Sequence, residues 1–598
     1  MLDKIYSAGK YFKNPQKTLV IMPKIMQKDF FEEIIDYIKQ AKPSKDKLAK
    51  KKVRLCSKHK QPKIPTDIDI LLHAKKNDIG FLKKYLHTKP TRTISGVAVV
   101  AIMTKPFPCP HGKCAQCPGG VESAFGEVPQ SYTGKEPATM RAIRNNYDSY
   151  LQVFNRLEQY VVLGQSPEKV ELIIMGGTFP SFPKDYQEEF VIYAFKAMND
   201  FSRLFYKKGK RNVGKIGFDI VKFKDFFELP GQVGSKERTM SIHKKLLALK
   251  IRGKAKGKAS LEAEQKKNES ANIRCVGLTI ETRPDYARLE HCNEMLRLGC
   301  TRVELGVQSV YDIALERINR GHDVNESIVA TRALKDLGFK INYHMMLGMP
   351  GVDFLQDITG LKQLFDNQDF RPDMLKLYPC MVLRGTKLYD DWKSGFYKPL
   401  TTEQAARMIT EFKKHVPEYV RIMRVQRDIP TKMTEAGVDR TNLRQYVSQK
   451  MKQENLSCRC IRCREIKNNE IKGKVSIKLI DYLASGGTEY FISLENKDMI
   501  VGFCRLRFPS RSLRKEITTN SALIRELHVY GSAVKIGGKG TGKSMQHRGF
   551  GKELLQAAEN VASKAGKKKM IIISGVGVRD YYRKLGYKKE GPYMVKDL

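Results

Sequence analysis

Six short apolar runs between residue 91 and about residue 380 constrain this chain more than any other feature. They are "GVAVVAIM", "KVELIIMGG", "IRCVGLTIE", "CTRVELGVQS", "KINYHMMLGMP" and "MLKLYP", and they alternate with segments of helical periodicity. Strands that alternate with helices return to one parallel sheet, because a parallel neighbour needs a crossover long enough to hold a helix. Each run ends in Gly, Pro or a polar residue, where the βα loops of a barrel or open sheet carry a site. The expected fold class is α/β.

A chain of 598 residues exceeds what one core holds. Four segments are expected. Residues 1–90 read as a basic helical module, with helices such as "DFFEEIIDYIKQA" joined by the basic loop "KPSKDKLAKKKVR". Residues 91–390 hold the parallel sheet, interrupted at about 205–272 by a basic, weakly patterned insert that reads as a surface extension. Residues 391–475 read as a linker and 476–598 as a second domain. The 108 Lys+Arg against 64 Asp+Glu give a formal charge of +44, which is foreign to most ordinary metabolic enzymes and suits a polyanionic partner, nucleic acid first. The plainer alternative is a solubilising surface.

Half of the twelve cysteines fall in two tight clusters, the pattern of metal ligands in a reducing compartment and not of a disulfide framework. A cytoplasmic protein is expected, with no signal peptide, no run of about eighteen apolar residues and no membrane partner. In "CPHGKCAQCPGG" the thiols Cys109, Cys114 and Cys117 stop one ligand short of a tetrahedral zinc site. A 4Fe-4S cluster on three cysteines keeps one iron open to an outside ligand. Zinc completed by His111 or a distant residue is the alternative. One βα unit later, "IIMGGTF" places Gly176, Gly177 and Thr178 at a strand end, where a ligand can approach the backbone closely. In "CRCIRCRE" the thiols of Cys458, Cys460 and Cys463 suit zinc, with Cys380 as candidate fourth ligand. Cys275, Cys292, Cys300 and Cys504 read as small core residues, and Cys56 with His59 has no assignment.

Near the carboxyl end, "IRELHVY" reads as a strand, and "QHRGFGKELLQAAENVASKAG" as a glycine turn opening an amphipathic helix, a place for a pyrophosphate. "GVRDYYRKLGY" follows it. Two adjacent tyrosines on a helix point to different faces, so at least one of Tyr581 and Tyr582 reads as packing.

The spacing of the first cysteine cluster matches the radical S-adenosylmethionine (SAM) signature. With "SYTGKEPATMRAIR", "IETRPDY", "NRGHD", "YPCMVLRGT", "RVQRDIP" and "RELHVYGS", the chain resembles the family of the Elongator catalytic subunit over most of residues 90–598. The resemblance implies a radical SAM partial (β/α) barrel followed by a GNAT-type acetyltransferase domain. It implies a 4Fe-4S cluster on Cys109, Cys114 and Cys117, with SAM held by Gly176, Gly177, Thr178, Glu281, Gln308, Arg320 and His344. Plainer readings pair Glu281 with Arg283 and make Gln308 a sheet-edge amide. The residues Gln546, His547, Arg548, Gly549, Phe550 and Gly551 fit the acetyl-CoA loop of GNAT enzymes. Tyr582, with Tyr581 as alternative, matches the tyrosine that family places near the CoA sulfur, and Glu526 is a candidate base that could instead pair with Arg525.

The implied activity is formation of 5-carboxymethyluridine at the tRNA wobble position, from acetyl-CoA and a 5'-deoxyadenosyl radical. The partner is the anticodon stem-loop, alongside a homodimer or accessory subunits. A protein lysine acetyltransferase with a structural iron-sulfur cluster is the alternative, and an RNA-binding scaffold with both sites decayed is a third reading. The insert is longer than the family resemblance suggests, and the first cysteines are closer together than in some members. Which tRNAs are chosen, the electron donor and the oligomeric state are not legible in the residues.

Overall fold

The computed structural model describes residues 28–62, 64–75, 77–86, 96–208, 216–231, 235–252, 259–467, 469–530 and 549–598. The chain divides into two units between His87 and Thr88. The first holds helices Phe30–Ala41, Lys45–Lys58, Asp67–His73 and Ile79–Leu86. They bury Phe30, Ile34, Ile38, Leu48, Leu55, Ile70 and Leu82 in one core. The lysine run expected as a loop is the second of these helices. Ser44 caps it by accepting from the Lys47 N–H, and Leu48 and Leu55 fall on the buried face. Lysine is a good helix former, so its charge masked a helix that needs only a thin apolar stripe. Cys56 and His59 serve the same core. The Cys56 thiol donates to Gln61 O at 3.5 Å, and His59 Nε2 lies 3.0 Å from Glu33.

In the second unit all six apolar runs form strands: β1 (Val97–Met103), β2 (Lys169–Met175), β3 (Arg274–Thr282), β4 (Arg302–Gln308), β5 (Lys340–Leu347) and β6 (Met374–Pro379). A seventh, β7 (Arg421–Arg424), completes the sheet. The strands lie in chain order and every neighbouring pair is parallel. An order that never reverses is that of a barrel wall and not of a doubly wound sheet. The domain limit expected near residue 390 is corrected by β7, which lies inside the segment read as a linker. "RIMR" is four residues with arginine at both ends, too short and too charged to read as a strand.

The insert at 205–272 is also corrected. Its described residues form helices Ile220–Phe226, Lys236–Arg252 and Leu261–Ser270. Phe205, Phe223 and Phe227 pack ring against ring. Arg238 pairs with the buried Glu158 at 2.5 Å and Lys250 with Asp148 at 2.5 Å, tying the insert to helix Ser149–Val162. Its apolar residues are clustered aromatics, not a periodic stripe, which is why it reads as weakly patterned.

The second sheet runs β8 (Ser476–Ala484), β9 (Gly487–Asn496), β10 (Met499–Phe508), β11 (Ser521–Val529), β12 (Lys569–Ile572), β13 (Lys588–Glu590) and β14 (Tyr593–Asp597), in the order β8-β9-β10-β11-β12-β14-β13. Only β11 and β12 pair parallel, over Ser521–Ile524 and Lys569–Ile572. Beyond those residues β11 continues without β12, leaving a fork.

A buried ionic seam joins the two sheets. Arg505, Arg507 and Arg525 are among the largest fully buried side chains. Arg525 Nη2 meets Asp373 at 2.5 Å and Glu489 at 2.9 Å, and Arg507 meets Asp336 at 2.6 Å and Glu489 at 3.0 Å. Arg505 donates to Tyr419 O at 2.7 Å. Beside the seam, a Cβ at Gly575 would lie 2.2 Å from Val276 O on β3, so this loop packs directly on the barrel backbone.

Candidate active site

The cysteine loop follows β1 and lies over the strand ends. The Ser131 N–H donates to Cys117 Sγ at 3.2 Å, and Arg320 Nη1 donates to Cys114 Sγ at 3.7 Å. His111 Nε2 lies 3.2 Å from Cys114 Sγ. Burial, then repulsion by Cys117 and Cys114, pushes the Cys109 thiol up to about 11. Burial likewise raises the Cys117 thiol. Three thiols gathered in one loop that receive donors suited to thiolates fit a metal cluster whose positive charge would settle them. At the end of β2, Gly176 and Gly177 have φ of 119° and 114°. A Cβ at Gly176 would lie 2.4 Å from Thr104 Oγ1, so the turn admits only glycine and leaves its backbone bare. Thr178 is buried beside it.

The other four expected cofactor residues fall into two pairs. Gln308 ends β4 in the left-handed region at φ 70°, and a Cβ at Gly306 would lie 3.0 Å from its amide nitrogen and 2.5 Å from Arg320 Nη2. Arg320 Nη2 donates to Gly306 O at 2.8 Å while Nη1 reaches Cys114, so this pair stands beside the cysteine loop. Glu281 and His344 lie deeper, where the ligand atoms of Glu281, Glu304 and His344 come within 4.8 Å of one another. The partners of Glu281 are Tyr132, whose hydroxyl donates at 3.2 Å, and Lys376 at 3.7 Å. Arg283 instead takes Asp285, at 2.9 and 2.8 Å.

Sequence reasoning missed the rest of this interior network. Glu304 accepts from Lys376, lies 2.6 Å from His344 and pairs with Arg302 at 3.4 Å, and Arg302 reaches Glu171 at 2.6 Å. Burial would raise the Glu304 carboxyl, but Lys376 and His344 outweigh it and hold it well below the usual carboxylate range. Burial, then Lys376, lowers His344, which keeps the imidazole neutral at pH 7. The available signal was the polar residue at alternate positions in "RVELGVQ" and "KINYHMM". A parallel strand covered on both faces has no need of one.

The fork of the second sheet opens beside Gly549, the N-cap of helix Phe550–Lys564. A Cβ at Gly551 would lie 3.1 Å from the Tyr581 hydroxyl, which puts Tyr581 beside the first turn of this helix. The N–H groups of a helix start suit a pyrophosphate. Gln546, His547 and Arg548 lie outside the described residues. Tyr582 is turned inward, with burial first and then Tyr581 and Cys504 raising its hydroxyl. Glu526 pairs with Arg505 at 2.9 Å, not with Arg525. Burial would raise its carboxyl, but Lys340 and Arg505 outweigh it and lower it. His528, two residues on, faces Glu526, Arg421, Lys340 and Glu171. The strand expected to carry the acetyltransferase base thus meets the charged interior of the first sheet.

The thiols of Cys458, Cys460 and Cys463 lie within 4.8 Å of one another. A Zn–S bond of about 2.3 Å sets tetrahedral sulfurs about 3.8 Å apart, so the set fits one ion. Cys380 is corrected as their fourth ligand: it is buried in an apolar cluster with Met346, Met349 and Tyr397. The group beside the thiols is Lys413, whose Nζ lies 3.5 Å from Cys463 Sγ.

Family profiles match four stretches: "ELP3 N-terminal domain" at 27–94, "Radical SAM superfamily" at 233–358, "Radical_SAM C-terminal domain" at 372–453 and "Acetyltransferase (GNAT) family" at 461–587. A Methanocaldococcus infernus protein named tRNA uridine(34) acetyltransferase is 44% identical over 544 residues, 89% of this chain and 92% of that protein. Elongator complex protein 3 of Saccharomyces cerevisiae is 40% identical over 557 residues, 90% of each chain. The chain belongs to the Elp3 family. A solved structure of archaeal M. infernus Elp3 lacking residues 1–46 aligns with TM-score 0.66 at 39% identity, over 85% of this chain and all of that one. An Elp3 chain combines a radical SAM half-barrel with a GNAT domain, and these imply a 4Fe-4S cluster with SAM and acetyl-CoA. Among the described residues no helix is long and apolar enough to cross a membrane.

Proposed function

We propose that this Elp3-family chain is an acyltransferase that modifies the wobble uridine of tRNA, installing a carboxymethyl group at C5. When bound, the 4Fe-4S cluster and SAM supply a 5'-deoxyadenosyl radical, and acetyl-CoA supplies the two-carbon unit. Cys109, Cys114 and Cys117 are the residues that would hold the cluster. The bare backbone of Gly176 and Gly177, with Thr178, Gln308 and Arg320, would hold SAM beside it. Glu281, tied to Tyr132 and Lys376, fixes the floor of that site, and neutral His344 is pinned by Glu304. Gly549, Phe550 and Gly551 would take the CoA pyrophosphate, with Gln546, His547 and Arg548 completing that loop.

The observation that carries this reading is the joining of the strand beside the fork to the barrel: Arg505 holds Glu526 at 2.9 Å and donates to Tyr419 O at 2.7 Å, and Arg421 of β7 donates to the Tyr530 hydroxyl at 2.6 Å. Acetyl-CoA chemistry and strand-end chemistry are then built on one body, which an independent lysine acetyltransferase with a structural cluster has no need of. The names of the relatives and the charge of +44 point to tRNA. The basic helices of residues 28–86 belong to RNA binding in this reading, and the cytoplasm is the compartment. The test is mass spectrometry of nucleosides from tRNA incubated anaerobically with reconstituted protein, SAM, acetyl-CoA and a reductant. New 5-carboxymethyluridine supports the proposal, whereas acetylated lysine peptides with unmodified tRNA would support the acetyltransferase reading.

Tyr582 is the proton donor to the CoA thiolate, and Tyr581 lies at the pyrophosphate. Replacing Tyr582 by phenylalanine is expected to slow acetyl-CoA turnover about a hundredfold at unchanged tRNA affinity. Release of free CoA thiol reports it, and an unaltered rate removes the residue from the mechanism. Cys458, Cys460 and Cys463 hold a structural zinc. Elemental analysis should find one zinc per chain in the wild type and its loss in Cys460→Ser, and equal content in both would refute the site.

A further inference from the structure

A cavity of about 300 Å³ lies behind the cysteine loop, lined by Arg317, Gly348, Gly351, Phe354, Phe396 and Lys398 among others. Its volume is at the lower end of small-ligand sites. We propose that it is a nucleotide subsite, in which a base flanking the target uridine stacks on Phe396 while its phosphate meets Arg317 and Lys398. This rests on tRNA being the substrate, and adds where the neighbouring nucleotide is held.

The ring of Phe396 is 87% exposed. A large aromatic ring kept in water at the mouth of a cavity is a stacking platform waiting for a partner. The cations beside it have no acidic partner among the described residues. The two carboxylates of the cavity are already engaged. Asp353 accepts from Leu355 N at 2.9 Å and Gln356 N at 2.8 Å, capping its helix, and Asp357 accepts from Gly348 N at 2.5 Å. The Tyr397 hydroxyl donates to Gly348 O at 2.6 Å, so the wall is braced from both sides. The site is preformed.

Its position is close to the cysteine loop. Gly348 to Gly351 is the loop after β5, on the strand-end edge that also carries the cysteine loop. Ile318, the residue after Arg317, accepts from Ala115 N at 2.8 Å, between Cys114 and Cys117. A nucleotide in the cavity is therefore one loop away from the thiols. Single-stranded loops of RNA present bases that can be splayed out and stacked, each with its own phosphate. A ring flanked by two free cations suits that chemistry better than it suits a protein segment, whose docking surfaces are depleted of charge at their centre.

Trp392 is the single tryptophan of the chain, four residues from Phe396, and reports on the site without labelling. Titration of the full chain with a synthetic anticodon stem-loop is expected to perturb its fluorescence. Phe396→Ala should weaken that binding about fivefold to a hundredfold, the range one stacked base contributes, and Phe396→Trp should retain it. Because the ring is exposed, the melting temperature of Phe396→Ala should match the wild type. Equal affinity of wild type and Phe396→Ala would overturn the subsite, hand the cavity to a protein partner and leave the tRNA reading standing. Failure of the wild type to bind the stem-loop would overturn both.

Discussion

Replacing Asp373 by alanine is expected to cost about 3–5 kcal/mol and to leave little folded protein at 37 °C. The carboxylate is fully buried between the two sheets and is shared by Arg525 at 2.5 Å and Arg505 at 3.5 Å, with Lys335 close by. Removing it strands cations that cannot reach water, which is why breaking such a pair costs more than making it ever contributed. Burial would raise this carboxyl, but Arg525, Lys335 and Arg505 outweigh it and hold it far below the ordinary value. A depressed folded value means that the stabilisation is complete above the unfolded pKa near 3.9 and is lost as pH falls toward the folded one. The wild type should therefore lose stability below about pH 4, and the Asp373→Asn variant should lack that acid-side component. Chemical unfolding at several pH values measures both, and a variant as stable as the wild type at pH 7 would show that the seam is not what holds the sheets together. Exchanging Asp373 and Arg525 together for apolar residues of similar volume should cost much less than either single change.

Cys114→Ala is expected to abolish uridine modification while leaving the fold intact. Cys114 takes the Arg320 guanidinium and sits against His111. Loss of one of three ligands should remove the iron chromophore and cleavage of SAM together, lowering product by at least about a thousandfold. Acetyl-CoA binding should survive, because the fork between β11 and β12 lies in the other sheet. Anaerobic absorbance, cofactor cleavage and nucleoside mass spectrometry check the three statements separately. Retained cleavage in the variant would show that these thiols do not hold the cluster.

The parallel sheet was legible because its strands are long apolar runs closed by glycine or a polar residue, and each of the six announced itself that way. β7 was not, because two arginines leave only a pair of apolar residues in it. The Lys45–Lys58 helix was hidden by its own charge. The thiols, the two glycines and the helix-start glycine loop were legible as local patterns, since the chemistry they imply needs short fixed spacings. Lys376, Glu304, Arg302 and His528 were not, because they converge from three different strands and only the folded sheets bring them together. The same limit explains Cys380, whose place after β6 in sequence says nothing about which cluster its thiol faces.

The arginines between the sheets carry one more consequence. Arg505, Arg507 and Arg525 belong to the acetyltransferase half, yet the carboxylates of Asp336 and Asp373 belong to the barrel half. The loop at Gly575 has no room for a methyl group between it and β3. A relative's acetyltransferase half could be grafted here only if it brought the same three guanidinium groups and the same missing side chain. The two halves have kept separate chemistries but have given up being interchangeable parts.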